Sequence, residues 1–259
     1  MILLIDVGNT RTKWALAPIY NINHDFKKIE LSHFGACMNA ELALSPLQQT
    51  AKKAKKVVVA NVAGEQMAQK LQQLLSPLTI HFKQSTHKAC GVINSYQQPE
   101  KLGIDRFAAL IAAWHLYQYA TVVVNAGTAI TIDALDNYGV FLGGTIMPGL
   151  QLMHATLNNK TANLMIASGS YENFPVNTQN AIETGCIHAA IGSILLMVEK
   201  LQASQAKKVQ LLLTGGDASK LLAALNIEQK KAIITHQLNP QLNPYLVLQG
   251  ILLLERERA

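Results

Sequence analysis

Asp6, Gly8, Asn9, Thr10 and Lys13 fall within eight consecutive positions, directly behind the apolar run Ile2-Leu3-Leu4-Ile5. Glycine at position 8 has no Cβ and lets a ligand approach the backbone closely. The Thr10 hydroxyl and the N–H groups of a turn are natural partners for phosphate oxygens. Asp6, at the end of a buried strand, can hold a hydrated divalent cation, since magnesium takes oxygen ligands and keeps several waters. The same residue types also suit a plain hairpin in which Asp and Asn satisfy their own backbone. Neither G-x-x-x-x-G-K-[ST] nor G-x-G-x-x-G occurs, and a strand-like stretch follows the turn. A phosphate site here is therefore of the strand–turn–strand kind, not a Walker loop or a dinucleotide fingerprint.

A second cluster, Gly103-Ile104-Asp105-Arg106, opens a segment of helical period. Asp at a helix start is most often an N-cap. In a functional reading, a carboxylate at the positive end of a helix stays ionised and can take a proton from an attacking alcohol. Arg106 beside it can bind a substrate carboxylate through two parallel bonds, and Tyr96 with Pro99 could wall a small pocket. Gly143-Gly144-Thr145-Ile146-Met147-Pro148-Gly149 either brings backbone close to a ligand or is a tight strand-to-helix turn. The histidines show no H-x-x-x-H or H-E-x-x-H spacing, so none is assigned to a metal or to catalysis.

These residues need elements to position them, and the sequence supplies short Val/Ile/Leu runs alternating with longer segments of helical period. Strands are expected at 1–5, 12–17, 57–61, 121–125, 129–135, 140–146, 209–213 and 232–235. Helices are expected at 43–55, 64–75, 104–119, 149–157, 179–202, 217–224 and 244–256, which makes the chain α/β. In 104–119, Phe107, Leu110, Ile111, Trp114 and Tyr117 recur at helical spacing and give one apolar face. An internal echo is present. The strand Ile2–Ile5 leads into Asp-Val-Gly-Asn-Thr, the strand Val122–Val124 leads into Asn-Ala-Gly-Thr, and a further strand follows each. This suggests two duplicated halves, 1–118 and 119–259.

With 49 % hydrophobic and 15 % charged residues over 259 positions, the chain is globular, not disordered. Its net charge of +6 raises nucleic acid as a partner. The densest basic run, Lys52-Lys53-Ala54-Lys55-Lys56, fits a solvated helix C-terminus instead, and no arginine-rich stripe with interleaved aromatics occurs. Met1–Ile5 is too short for a signal-peptide core and no other stretch approaches membrane-spanning length, so a cytoplasmic protein without a membrane partner is expected. Cys37, Cys90 and Cys186 are far apart and odd in number, indicating neither a disulfide framework nor a zinc site; reduced, buried thiols are expected.

Taken together and in order, Asp6–Thr10, Gly103–Arg106, Gly127-Thr128-Ala129, Gly143–Gly149 and Thr214-Gly215-Gly216 resemble the type III pantothenate kinases. Tyr96–Leu102, Asn177–Gly185 and Asn243–Gly250 extend the resemblance over almost the whole chain. It implies a duplicated actin-like (ribonuclease H-like) α/β fold with a cleft between two halves, and a homodimer with pantothenate near the subunit interface. It further implies transfer of the ATP γ-phosphoryl group to pantothenate, with Mg2+ and a monovalent cation, K+ or NH4+. Residue by residue, Asp6, Val7, Gly8, Asn9, Thr10, Arg11, Thr12, Lys13 and Thr128 correspond to ATP contacts, with Asp6 also on magnesium through water. Asp105 corresponds to the general base, and Tyr96, Gly103, Ile104, Asp105, Arg106 and Thr178 to pantothenate contacts. One position departs: where the family carries an Asp for the monovalent cation, this chain has Asn125. The family also includes Bvg accessory factor relatives, so a weakly or non-catalytic regulator on the same fold is the alternative. A kinase for another small alcohol is a further one.

Overall fold

The structure is a computed structural model and describes residues 1–19, 30–160, 169–205, 208–230 and 238–257. Its chain divides into two compact units, Met1–Leu116 with Tyr245–Ala259, and Tyr117–Pro244.

In the first unit, β1 (Ile2–Val7) and β2 (Arg11–Ala17) form an antiparallel hairpin, with Ile2 opposite Ala17 and Val7 opposite Thr12. β3 (Ser32–Met38) extends it antiparallel beyond β2. On the other side of β1, β4 (Lys56–Asn61) and then β5 (Ile80–Phe82) join in parallel, giving the order β3-β2-β1-β4-β5. The crossovers carry helices α1 (Leu47–Ala51) and α2 (Glu65–Leu74). Central strands of such sheets are covered on both faces and read as continuous apolar runs, and β1 is buried at Ile2, Leu3, Leu4, Ile5 and Val7. Leu3, Ile5 and Val7 pack with Trp14, Val57 and Val59 against Leu47 and Leu71. Each such side chain contributes about 1.5–3 kcal/mol relative to exposure. A short hairpin, β6 (Lys88–Ala89) and β7 (Val92–Asn94), leads to α3 (Ile104–Tyr117).

The second unit repeats the plan. β8 (Thr121–Ala126) and β9 (Ala129–Leu135) form the hairpin, and β10 (Val140–Pro148) lies antiparallel beyond β9. β11 (Gln210–Thr214) and β12 (Gln241–Leu242) run parallel on the far side of β8. The five strands that this unit contributes run in the order β10-β9-β8-β11-β12, the plan of the first sheet. The helices are α4 (Leu150–Lys160), α5 (Thr178–Gln205) and α6 (Ala218–Lys230). Val122, Val124, Ile130, Ile132, Leu211 and Leu213 form its core with apolar residues of α5 and α6.

Several expectations change. The final helix, α7 (Leu246–Arg256), packs on β1, β2 and β4 of the first unit, so the second unit does not run to residue 259. Gly250 lets α7 approach α3, since a Cβ there would overlap the Ala108 carbonyl. Glu255 of α7 pairs with Lys56 and, at 2.6 Å, with Lys83. The helix expected at 43–55 is broken at Pro46 into a 3-10 turn, Asn39–Leu44, and the short α1, because the residue before proline is pushed out of helical conformation. Gly143–Pro148 is strand rather than turn; a bulge between Phe141 and Gly143, with Gly143 at φ 131°, accounts for the glycine. α3 is buried around most of its circumference, because Ala108, Ala109, Ala112 and Ala113 are covered as well as the larger residues. α5 is long and apolar enough by composition to cross a membrane, contrary to the expectation that no stretch is, and Ile187, Ile191 and Ile194 on it belong to the second core. Cys186 is buried, whereas Cys37 and Cys90 are only partly so. The expected strand at 232–235 lies outside the described residues.

Candidate active site

The β1–β2 turn is held at its base by the Gly8 N–H, which donates to the Arg11 carbonyl at 3.0 Å. Asp6, the penultimate residue of β1, stands opposite Lys13 of β2 and beside Ala60 of β4. Asn9 and Arg11 are exposed, Gly8, Thr10 and Lys13 are partly buried, and Val7 lies in the core. Thr12 is fully buried, and its hydroxyl donates to Asn39 Oδ1 at 2.8 Å. That side chain therefore faces the protein, so an ATP contact of the kind the resemblance implies falls to the backbone of this residue.

Asp105 is not the N-cap of α3. The helix begins at Ile104, and the Gly103 carbonyl accepts from the Phe107 N–H at 3.0 Å. The Asp105 carboxylate accepts from the Arg106 N–H at 2.8 Å. A Cβ on Gly103 would lie 2.6 Å from that carboxylate, so glycine makes room for it. Arg106 is buried; Nη1 donates to the Tyr96 hydroxyl at 3.1 Å, and the guanidinium lies 5.6 Å from the centre of the Tyr96 ring. Asn94, fully buried, fixes the loop that carries Tyr96. Its Oδ1 accepts from the Tyr96 N–H at 3.1 Å, while Nδ2 donates to the Thr86 and Pro99 carbonyls. Ser95, Tyr96, Gln97, Gln98 and Lys101 line a hollow of about 420 Å³ beside it.

The two carboxylates are electrostatically linked. Burial, and then the charge of Asp105, push Asp6 up to about 7, with Lys13 opposing. Burial also raises Asp105, but the Arg106 N–H and guanidinium and its own N–H work against the rise. Both carboxyls are thus raised by burial, and the donors around Asp105 limit its rise. Magnesium, which a kinase family implies, suits Asp6. Such sites need only one or two carboxylates, the phosphates and water supplying the rest. Among the described residues no group of three or more metal-ligating side chains occurs.

In the second unit, the β8–β9 turn is the counterpart of the first, with the Gly127 N–H donating to the Ala129 carbonyl at 3.1 Å. Two glycines crowd it. A Cβ on Gly149 would overlap the Gly127 carbonyl, and one on Gly215, at φ 104°, would overlap the Ala126 carbonyl. Thr128 is exposed at the tip. Asn125 lies in register between Thr131 and Thr214, so three neutral oxygen-bearing side chains share one face. Thr131 Oγ1 is buried without a hydrogen-bond partner among the described residues. Thr178 opens α5, where the Asn177 side chain caps the helix by accepting from the Asn180 N–H at 2.9 Å. It lines a groove of about 890 Å³ with Met153, Leu157, Val176 and Ile182. Buried Glu183, further along α5, meets Lys220 at 2.5 Å and His154 at 3.2 Å.

Sequence reasoning missed Asn39 and Asn94. Asn39 lies 31 positions from the turn it touches, with no motif around it. Asn94 stood just ahead of a residue already singled out, and an Asn two positions before the turn-bound Tyr96 was the available signal.

Two units that share one five-strand plan, each with a turn containing glycine and threonine after its first strand, define an actin-like, sugar-kinase-type fold. Among solved structures, a Campylobacter jejuni protein assigned to the Baf family of transcriptional activators superposes with a TM-score of 0.61 at 22 % identity, over 99 % of this chain and 98 % of the other. A Listeria monocytogenes protein assigned as an N-acetylmannosamine kinase superposes with a TM-score of 0.51 at 11 % identity, over 100 % and 99 %. The family model for type III pantothenate kinase matches residues 2–200. The type III pantothenate kinase of Methylobacillus flagellatus is 39 % identical over 261 residues, covering 98 % of each chain. The chain belongs to the type III pantothenate kinase family.

Proposed function

We infer that the protein transfers the γ-phosphoryl group of ATP to the hydroxyl of pantothenate, giving 4'-phosphopantothenate on the way to coenzyme A. The observation that carries the residue assignment is the linked pair Asp6 and Asp105, one at the end of β1 and the other at the start of α3. Asp105 takes the proton of the acceptor hydroxyl as its oxygen bonds to the γ-phosphorus and the bond to ADP breaks. Burial raises the carboxyl and makes it a better base near neutrality. The turn Gly8–Lys13 binds the ATP phosphates through backbone N–H groups and Lys13, with Thr128 a further ATP contact. Asp6 would hold magnesium through water, and the ion would neutralise charge on the phosphate oxygens. Tyr96, Gly103, Ile104, Arg106 and Thr178 hold pantothenate, with Arg106 on its carboxylate. The likeness to the Baf-family structure concerns the fold and does not favour a regulator.

Asn125 removes the charge with which a carboxylate would attract potassium or ammonium, about 1–5 kcal/mol at roughly 3 Å. The monovalent cation is therefore bound weakly or not required. A cytoplasmic homodimer completes the reading: on α5, Gly185, Ala189, Gly192 and Leu196 form an exposed stripe of small and apolar residues that a second copy would cover. Pantothenate-dependent ADP release, titrated with potassium at constant ionic strength, tests both points. We expect turnover that requires pantothenate and responds shallowly to potassium. No pantothenate dependence would overturn the reaction; a tight, complete potassium requirement would overturn the reading of Asn125.

A further inference from the structure

We propose that Asn39 is the residue that aims the phosphate-binding turn, with Thr12 holding its amide in place; this rests on the turn being the ATP phosphate site. Asn39 follows β3 and opens the 3-10 turn. Its Nδ2 donates to the Gly8 carbonyl at 2.8 Å and to the Asn9 carbonyl at 3.1 Å. Its backbone N–H donates to the Thr10 carbonyl at 2.9 Å. One residue thus engages the carbonyls of Gly8, Asn9 and Thr10 in succession. The amide sits only this way round, because its nitrogen faces two carbonyls that accept but cannot donate, while its oxygen receives the Thr12 hydroxyl. From below, Lys70 of α2 donates to the Asn39 carbonyl at 3.2 Å and ties the clamp to that helix.

The consequence follows from peptide geometry. In a planar trans peptide the C=O and the next residue's N–H point to opposite sides. Holding the three carbonyls toward Asn39 therefore turns the N–H groups of Asn9, Thr10 and Arg11 the other way. Successive N–H groups facing one way form an anion-binding concavity. Donors fixed during folding cost no reorganisation when the phosphate arrives. Loss of the amide would free the Gly8 and Asn9 carbonyls to rotate toward the ligand, where they would repel phosphate oxygens. Buried Thr12 acts on the amide and not on the ligand. Asn39 and Thr12 are accordingly positioning residues.

The test is calorimetric titration of Mg-ATP and, separately, pantothenate into the natural protein, Asn39→Ala and Asn39→Asp. An ionised aspartate offers no donor, whereas the protonated acid offers one O–H. We expect both variants to bind Mg-ATP about tenfold more weakly at pH 8, with pantothenate affinity changed by less than about twofold. For Asn39→Asp, the deficit relative to the natural protein at the same pH should shrink as the pH is lowered to about 4, where about half of an ordinary aspartate is protonated, while that of Asn39→Ala stays constant. If the alanine variant does not fold, Thr12→Val, nearly isosteric, reads the same quantity. Hydrogen exchange of residues 8–13 in the natural protein, with and without Mg-ATP, separates the two levels of the argument. No protection there means that ATP is not on the turn and the underlying assignment fails. Protection combined with unchanged Mg-ATP affinity in the folded variants, or with equal losses for ATP and pantothenate, overturns the role of Asn39.

Discussion

Asp6 has its ordinary ionisation displaced by burial and by Asp105, and stability should report this directly. In the unfolded chain an aspartate loses its proton near pH 4; in the folded protein without ligands Asp6 keeps it to about 7. The folded state binds that proton more tightly, so its contribution is fully present below about pH 4 and lost as the pH rises through about 7. Discounted for the part of the carboxylate that water reaches, the cost of ionising it is about 2 kcal/mol. Asp6→Asn should therefore raise the Tm of the ligand-free protein by about 4–8 °C at pH 8 and hardly at all at pH 4, with phosphoryl transfer abolished. Thermal melts of both proteins across this range check it, and a gain that is independent of pH would contradict the account. Arg106 makes a different demand. Arg106→Ala should weaken pantothenate binding far more than ATP binding, and the loss should be much smaller for an uncharged amide analogue of the acceptor. Equal losses for acid and amide would leave Arg106 as the residue that merely orders Tyr96. Asp6, Gly8, Asp105 and Arg106 were legible in the sequence because each group's chemistry and spacing fit within a few positions. The direction of the Thr12 side chain was not legible: alternation along β2 turns its hydroxyl inward, where Asn39 accepts from it.

Among the elements, the hairpins β1–β2 and β8–β9 and the helices α2, α3 and α5 were legible, because strong apolar runs and long helical periods dominate their local preferences. β3 was not: Ser32–Met38 contains glycine and polar residues, and its place comes from pairing with β2. The burial of α3 on its alanine side was equally hidden, since alanine adds little to an apolar pattern and the covering element, α7, lies far along the chain. That contact gives an element-scale prediction. Gly250→Ala places a Cβ into the Ala108 carbonyl, and α7 must shift away from α3. Overpacking of this kind costs about 1–3 kcal/mol, which should lower the Tm by roughly 2–12 °C. Hydrogen exchange should quicken in α7 and in the Lys83 region, whose buried ammonium donates to the Leu254 carbonyl at 3.2 Å. An unchanged Tm would mean that the helices adjust without cost.

For the whole molecule, the duplicated plan was visible as two strand–glycine–threonine turns, while the return of the last helix to the first unit was not. Helical period identifies α7 as apolar but cannot say which sheet it covers; that follows from its contacts with β1, β2 and β4 and from Glu255 with Lys83. In the proposed mechanism, activity depends on one carboxylate above the others. Asp105 lies at the start of a buried helix, with glycine before it, arginine after it and Asp6 as its electrostatic neighbour. The most direct measurement is turnover of Asp105→Asn in pantothenate-dependent ADP release, with Mg-ATP affinity measured on the same preparation. Loss of general-base assistance should lower kcat by about 10²–10⁴-fold while leaving Mg-ATP binding within about threefold. Near-normal turnover in the folded variant would contradict the assignment of Asp105 as the base.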